Sequence, residues 1–298
     1  MSKQPNIIIV VADQLRYDSL GASGNQIVKT PHIDAFAKEG LVFDKSYSSC
    51  PICSPYRGQL LTGCFSHVNG VTDNEYKLRT DLPTLPQILG NAGYHTGFIG
   101  KLHLGYGPYS EDKRYGFDYL AGYNMPRWDF VYYENEIGPI PVSNWPPENE
   151  TNLTLKFIEN HVQEEGDRPF ALVLIWPLPH WPYDVYPREF RKYDPNFVNV
   201  APNVPAVMAD YARRDISEYY GCISALDDQF GRILSCLNTH GISKNTMVCL
   251  TSDHGDHIFS HGYVKPMDTW MHPSMRLSKA TPYDESIHIP FIVRWPEA

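Results

Sequence analysis

Several stretches of the chain are apolar without polar alternation: NIIIVVAD (6 to 13), HTGFIGK (95 to 101), FALVLIWP (170 to 177), TMVCLTSD (246 to 253) and HIPFIVRW (288 to 295). Runs of this kind suit strands covered on both faces. Between them lie TPHIDAFAKEG (30 to 40), LPTLPQILGNAG (82 to 93), TNLTLKFIENHVQEEG (151 to 166) and DISEYYGCISALDDQFGRILSCLNTHG (215 to 241). These carry apolar residues at helical spacing and close on glycine, a helix stop. CSPYRGQLLTG (53 to 63) also reads as a helix, with Pro55 in its first turn and Gly63 at its end. Strands alternating with helices predict an α/β fold, with a mainly parallel central sheet flanked by helices on both faces.

Three stretches break the pattern: Gly105 to Pro147, about Pro177 to Val207, and Ser260 to Ser278. They are predicted to be irregular and to carry functional surface. No repeat or Gly/Ser linker divides the chain, so residues 1–298 are expected to form a single domain.

Ligands of open parallel sheets bind beyond the carboxyl ends of the strands. Here those ends deliver Asp13 and Gln14, Lys101 and His103, His180, and Asp253 and His254. Asp13, Gln14, Asp253 and His254 offer two carboxylates, an amide oxygen and an imidazole, a donor set for one divalent cation. Oxygen donors favour calcium or magnesium, whereas an imidazole tilts the choice toward manganese or zinc. Taken one at a time, Asp13 reads as a turn cap and Asp253 as part of a glycine turn.

Composition narrows the classes. The 298 residues are 42% hydrophobic and 20% charged, as in a folded protein, and the net charge of −9 argues against non-specific nucleic-acid binding. The apolar run at 7 to 12 is too short for a membrane span, and no later segment reaches that length. With no export signal, the six cysteines point to reduced thiols and a cytoplasmic location. The sequons at Asn149 and Asn152 then carry little weight.

Helix formation explains neither Cys53 nor Arg57. Cys50 and Cys53 have the C-x2-C spacing of a zinc knuckle, with Cys64 nearby, but a second paired half is missing. A buried inert thiol is the commoner fate of a free cysteine. Against both stand Pro55, Arg57 and a helix N-terminus that favours an anion.

CSPYRGQLLTG resembles the C-x-P-x-R signature of the formylglycine-dependent sulfatases, of the alkaline phosphatase-like superfamily. The resemblance extends along the chain. NIIIVVADQLRYDSLG and TPHIDAFAKEG are similar to the family's opening strand and helix, GKLHLG (100 to 105) to its Lys-x-His element, and LPHWPY (178 to 183) to its His-x-Pro element. SDHGD (252 to 256) resembles its second metal pair, and KATPYDESIHIPFIVRWP (279 to 296) its active-site lysine segment. The resemblance implies that a maturation enzyme oxidises Cys53 to formylglycine. One hydroxyl of the hydrated aldehyde would attack sulfur, and the second would expel sulfate by C–O cleavage. Cys53 then joins Asp13, Gln14, Asp253 and His254 around the metal, calcium being most typical of the family.

His103, beside Lys101, is the candidate base, and His180 or Lys279 the candidate acid. Arg57, Lys101 and Lys279 would offset charge on the sulfonyl oxygens. Stacking in an aromatic cluster is the plainer fate for His180. Lys265 rivals Lys279, which is preferred because it directly precedes PYDES. His95, His257, His261 and His272 are expected to be surface or supporting residues.

The implied activity is hydrolysis of a sulfate ester on a saccharide or a small aryl or alkyl alcohol. Gln14 and His254 stand where many sulfatases have Asp and Asn, and both choices occur in the sister phosphonate monoester and phosphodiester hydrolases. Such a hydrolase is therefore the alternative, and a non-catalytic metal- or anion-binding module is the third reading. The chain also stops at Ala298, short of the family's usual small antiparallel C-terminal subdomain, so a fragment or a shortened protein is expected.

Overall fold

A computed structural model of the chain describes residues 4–125, 130–262 and 279–297. Its strands are β1 (Asn6–Asp13), β2 (Leu41–Val42), β3 (His95–Lys101), β4 (Tyr119–Tyr123), β5 (Val131–Glu134), β6 (Ile137–Pro141), β7 (Phe170–Pro179), β8 (Thr246–Ser252) and β9 (Phe291–Arg294). The helices are α1 (Pro31–Lys38), α2 (Cys53–Thr62), α3 (Ser66–Asn69), α4 (Leu85–Asn91), α5 (Pro146–Glu164), α6 (Ala209–Thr239) and α7 (Asp284–Ile287). All the strands join one sheet in the order β2-β9-β8-β1-β7-β3-β4-β5-β6.

The centre of that sheet, β8-β1-β7-β3-β4, is parallel, and antiparallel pairs extend it at both margins. Successive side chains of a strand point to opposite faces, so a strand buried on both faces must be apolar throughout. In β1, Ile8, Val10 and Ala12 enter one core, and Val11 enters the other. In β7, Leu172, Leu174 and Trp176 join Ile8, while Val173 and Ile175 join Val11. The first core includes Phe36 of α1, Phe157 of α5 and Phe230 of α6, and the second includes Leu61 of α2. Helices therefore cover both faces.

Two departures from the sequence pattern have physical reasons. The 288 to 295 run contains β9, which pairs antiparallel with β8 and alternates half-buried with buried positions. Part of the stretch predicted to be irregular forms β4, β5 and β6. There β5 is half-buried throughout and β6 is mostly exposed, so neither shows the apolar signal of a buried strand. Gly100 has a clear reason to be glycine: its φ is +105°, and a side chain would strike the carbonyl of Ile175 on β7.

Among the described residues, no helix is long and apolar enough to cross a membrane.

Candidate active site

The carboxyl ends of β8, β1, β7 and β3 lie side by side in the sheet. Just past two of them the backbone enters the left-handed region at non-glycine residues, Gln14 (φ 71°) and His103 (φ 53°). Such conformations are costly and persist where surrounding contacts hold them. Tyr219 of α6 donates its hydroxyl to the Gln14 carbonyl at 2.6 Å and accepts the Arg16 N–H at 3.0 Å. The Ser54 hydroxyl donates to the His103 carbonyl at 2.6 Å.

Cys53 is the first residue of α2, which ends at Gly63 in the left-handed conformation, its N–H on the Gln59 carbonyl at 2.7 Å. That geometry matches the Pro55 and Gly63 signals. Cys53 Sγ is buried 3.3 Å from His254 Nε2, 3.2 Å from Lys279 Nζ and 3.7 Å from Asp13 Oδ1. One turn along α2, Arg57 spans the two carboxylates, with Nη2 2.9 Å from Asp13 Oδ2 and Nη1 3.3 Å from Asp253 Oδ2. Lys101 Nζ reaches Asp13 Oδ2 at 2.5 Å. Burial opposes ionisation of Asp13, but Lys101 and Arg57 outweigh it and hold the carboxyl well below its usual range. Burial and Asp13 likewise oppose a Cys53 thiolate, yet Lys101, Lys279 and His254 bring the thiol well below its ordinary value. The local field at residue 53 is thus built to receive negative charge.

The donor set fits a cation on two observations. Asp253 Oδ2 and Arg57 Nη1 are buried with only their mutual ion pair at 3.3 Å and no well-formed hydrogen bond, which leaves room for a ligand. His254 has Nδ1 2.9 Å from the Gly255 carbonyl, so Nδ1–H donates there and Nε2 is the ring atom that faces the pocket, a lone-pair donor once deprotonated. Asp13, Cys53, Asp253 and His254 place one ligand atom each within 4.8 Å of one another. Gln14 donates its amide to Asp256 Oδ2 at 2.5 Å, which turns Oε1 toward Lys279 Nζ at 3.1 Å. Tyr183 also donates to Asp256. Asp256 and Tyr183 were not singled out from the sequence. The available signal was the second aspartate of SDHGD, two residues past His254.

His180 follows β7. Its Nδ1 lies 2.7 Å from the Trp181 carbonyl, and its Nε2 accepts from Lys279 Nζ at 2.9 Å. Burial, and then Lys279, push its pKa down to about 3, so the ring is neutral and the proton of the pair resides on Lys279. The Lys279 pKa is lowered by burial but raised more by Cys53, Asp13 and Asp253. The adjoining Ala280 N–H is anchored on the Pro51 carbonyl at 3.1 Å. His103 interacts with Cys53, and its buried Nδ1 has no hydrogen-bond partner. Burial lowers its pKa, and Lys101 and Arg57 add to that against Cys53, leaving a neutral ring beside residue 53.

The structure thus brings together Asp13, Gln14, Cys53, Arg57, Lys101, His103, His180, Asp253, His254 and Lys279. Cys50 and Cys64 join no metal-ligand cluster among the described residues, so nothing supports a zinc knuckle. His95 and His257 lie outside this group and hydrogen-bond to His161 and Thr281 respectively, while His261 pairs with Glu285. Lys265 and His272 lie outside the described residues.

The sulfatase family model matches residues 5–298. The ulvan-active sulfatase of Formosa agariphila is 31% identical over 308 residues, covering 98% of this chain and 56% of its own length. The chain therefore spans little more than half of that relative. The crystal structure of yidJ, a sulfatase-family protein of Bacteroides fragilis, aligns with a TM-score of 0.88 at 30% identity, over 100% of this chain and 69% of that one. The phosphonate monoester hydrolase of Agrobacterium radiobacter aligns with a TM-score of 0.75 at 20% identity, over 98% and 68% respectively. At that identity the likeness speaks for the shared alkaline phosphatase-like fold.

Proposed function

The chain belongs to the sulfatase family, and from that premise we propose that it hydrolyses sulfate esters at residue 53, releasing sulfate and an alcohol. One observation carries the reading: Cys53 begins a helix and is packed against His254, Lys279 and Asp13, inside a pocket whose buried charges are incompletely matched. A thiol needs no such setting, whereas an oxyanion nucleophile and a tetrahedral dianion do.

Conversion of Cys53 to formylglycine by a maturation enzyme would supply a hydrated aldehyde, whose two hydroxyls provide the attacking and the expelling oxygen. A divalent ion held by Asp13, Gln14, Asp253 and His254 would supply Lewis-acid charge beside it. Calcium is the expectation from the family, with manganese or zinc favoured by the His254 imidazole.

The chain's own residues do the rest. Arg57 and Lys101 fix Asp13 in its ionised form and aim positive charge at the pocket. His103, neutral and beside residue 53, takes the hydroxyl proton. Lys279 gives a proton to the leaving oxygen, and His180 Nε2, already accepting from Lys279, holds that ammonium in place. Of the two candidate acids, the geometry favours Lys279.

A cavity of about 430 Å³ opens beside His103, with Tyr76 and Tyr106 exposed on its wall and Glu75, Lys77, Asp112, Lys113 and Asn124 among its polar lining. Exposed tyrosines offer faces for a pyranose ring, and the mixed polar lining suits its hydroxyls. The name of another relative, the N-acetylgalactosamine-6-sulfatase of Rattus norvegicus, points the same way, to sulfate on a sugar. We therefore favour a saccharide sulfate as substrate. All six cysteines are free, which fits a reducing compartment.

The test is a parallel assay of matured protein on an aryl sulfate, sulfated oligosaccharides and an aryl phosphodiester. The proposal expects sulfate release to exceed phosphodiester cleavage in kcat/KM. A phosphodiester preference would transfer the same residues to the sister reaction. No turnover of any ester by fully matured, metal-replete protein would end the hydrolase reading.

A further inference from the structure

In a parallel sheet with crossover helices, the helices run back against the strands. The carboxyl ends of α5 and α6 therefore return to the sheet edge where β7 and β8 begin, opposite Cys53. The connection there is tight. The Ile242 N–H donates to the Leu237 carbonyl at 3.0 Å, the Thr246 hydroxyl donates to the Ile242 carbonyl at 2.7 Å, and β8 follows at once.

At this edge a carboxylate oxygen of Glu159 on α5, the sulfur of Cys236 on α6 and a ring nitrogen of His240 lie within 4.8 Å of one another. Cys236 and His240 are four residues apart and share one helix face, the backbone N–H of His240 bonding to the Cys236 carbonyl at 3.0 Å. Glu159 comes from the helix packed alongside. Cys236 is buried, His240 is half-buried and Glu159 is exposed. None of the three was singled out as chemistry from the sequence, because they sit on separate helices and only the C-x3-H spacing links two of them.

We propose that Glu159, Cys236 and His240 form a second metal site, structural in role, that takes Zn2+ with water in the fourth position.

The donor set argues for zinc. One thiolate, one imidazole and one carboxylate is a borderline-soft combination, which calcium and magnesium do not favour. Ligand atoms about 2.0 to 2.3 Å from a tetrahedral zinc stand roughly 3.5 Å apart. The three ligand atoms already lie within 4.8 Å of one another, and Glu159 is exposed and His240 half-buried, so both side chains have room to close that gap. Among the described residues, the His240 ring has no hydrogen-bond partner, so a lone pair is free. The site also lies at the carboxyl end of the 31-residue α6, where the unpaired carbonyls favour positive charge. On binding, the Cys236 S–H bond breaks, its electron pair goes to the metal, and the proton goes to solvent. Glu159 and His240 donate existing lone pairs, and nothing is oxidised or reduced.

The plainer account is a buried thiol beside a surface glutamate. It requires no affinity for metal and makes no use of the His240 geometry. Zinc binding would instead tie α5 to the last turn of α6 and brace the starts of β7 and β8, without touching the catalytic edge.

Cobalt is the probe, because thiolate coordination gives a sulfur-to-cobalt charge-transfer band that oxygen and nitrogen ligands do not. Full-length protein carrying Cys53→Ser removes the thiol of the catalytic pocket from the measurement. The band should saturate at one cobalt per chain, vanish on addition of zinc, and be absent when Cys236→Ser is added. His240→Gln, a half-exposed change that leaves the core intact, should weaken cobalt binding at least about tenfold. In the matured enzyme, His240→Gln should leave sulfate-ester turnover unchanged. It should also abolish the part of the zinc-induced rise in Tm that the Cys53→Ser protein retains. No thiolate band in the Cys53→Ser protein, or an equal band and equal zinc affinity with and without His240→Gln, would overturn the site.

Discussion

Asn6 and Asp13 are the two ends of one strand, and both are buried. Asn6 donates to the Thr246 hydroxyl at 3.4 Å and accepts the Phe170 N–H at 3.1 Å, so it stitches β1 to the first residues of both neighbours. The arrangement is neutral and local. Asp13 carries a charge gripped by Lys101 and Arg57; around it His103 Nδ1 has no hydrogen-bond partner, and Arg57 Nη1 and Asp253 Oδ2 have only their ion pair at 3.3 Å. Buried unpaired polar atoms cost stability. The amino end of the strand is arranged for folding, and the carboxyl end holds an electrostatic imbalance that a ligand would relieve.

If the two ends divide labour in this way, substitutions at them should separate cleanly. The largest effect belongs to Cys53→Ser in the pocket. Turnover of the matured enzyme should fall on the order of 10⁴-fold or more, as for loss of a nucleophile elsewhere, with Tm nearly unchanged. Equal turnover would remove residue 53 from the chemistry.

Asp13→Asn should abolish turnover and destabilise as well. It leaves Lys101 buried without its counter-charge and Arg57 with Asp253 alone, a loss of about 3 to 5 kcal/mol in a denaturant titration. At the other end, Asn6→Ala should cost about 1 to 3 kcal/mol, because the Phe170 N–H loses its acceptor. Its kcat/KM should match the parent. A stability loss at Asp13 no larger than at Asn6 would show that the pocket's ion pairs are not buried in the way described.

The smallest effect is a pH dependence at the amino edge. His161 Nε2–H donates to the Arg168 carbonyl at 2.8 Å, and its Nδ1 accepts from His95 Nδ1 at 3.0 Å, a pairing that requires a neutral His161. Burial lowers both pKa values from 6.5, and for His95 the neighbouring His161 lowers it further. Asp118 and Glu165 oppose the shift at His95. A folded-state value below the unfolded one means that the unfolded chain binds more protons. The contribution is therefore whole above about pH 6.5 and is lost as pH falls through the depressed values. His161→Asn should accordingly cost stability at pH 7.5 and cost less at pH 5, in parallel urea titrations. A difference that grows toward acid would reverse the sign and refute a neutral His161.

Much of this contrast was legible in the sequence, for a physical reason. Strands buried on both faces must be continuously apolar, so β1, β3, β7 and β8 stood out, and the polar residues at their carboxyl ends could be read as one edge. Cys53, Lys101 and Lys279 gained meaning through the motifs around them, since a lone cysteine or lysine carries no such signal. Strands β5 and β6 were hidden because Tyr, Gly and Pro at a half-exposed sheet margin show no clear period, and β4, though buried, is only the five residues YLAGY. Asp256 and Tyr183 were hidden because they act on Gln14 rather than on the pocket itself, and their pairing joins distant segments. Left-handed backbone at Gln14 and His103 has no sequence signature at all.

The most direct test of the catalytic proposal takes protein matured to different extents and measures the side chain at residue 53 by peptide mass together with the rate of sulfate release, in the same metal-replete samples. The account predicts a rate proportional to the fraction of residue 53 present as aldehyde, extrapolating to zero when all of it is thiol. Undiminished sulfate release from protein in which every residue 53 is a thiol would contradict it.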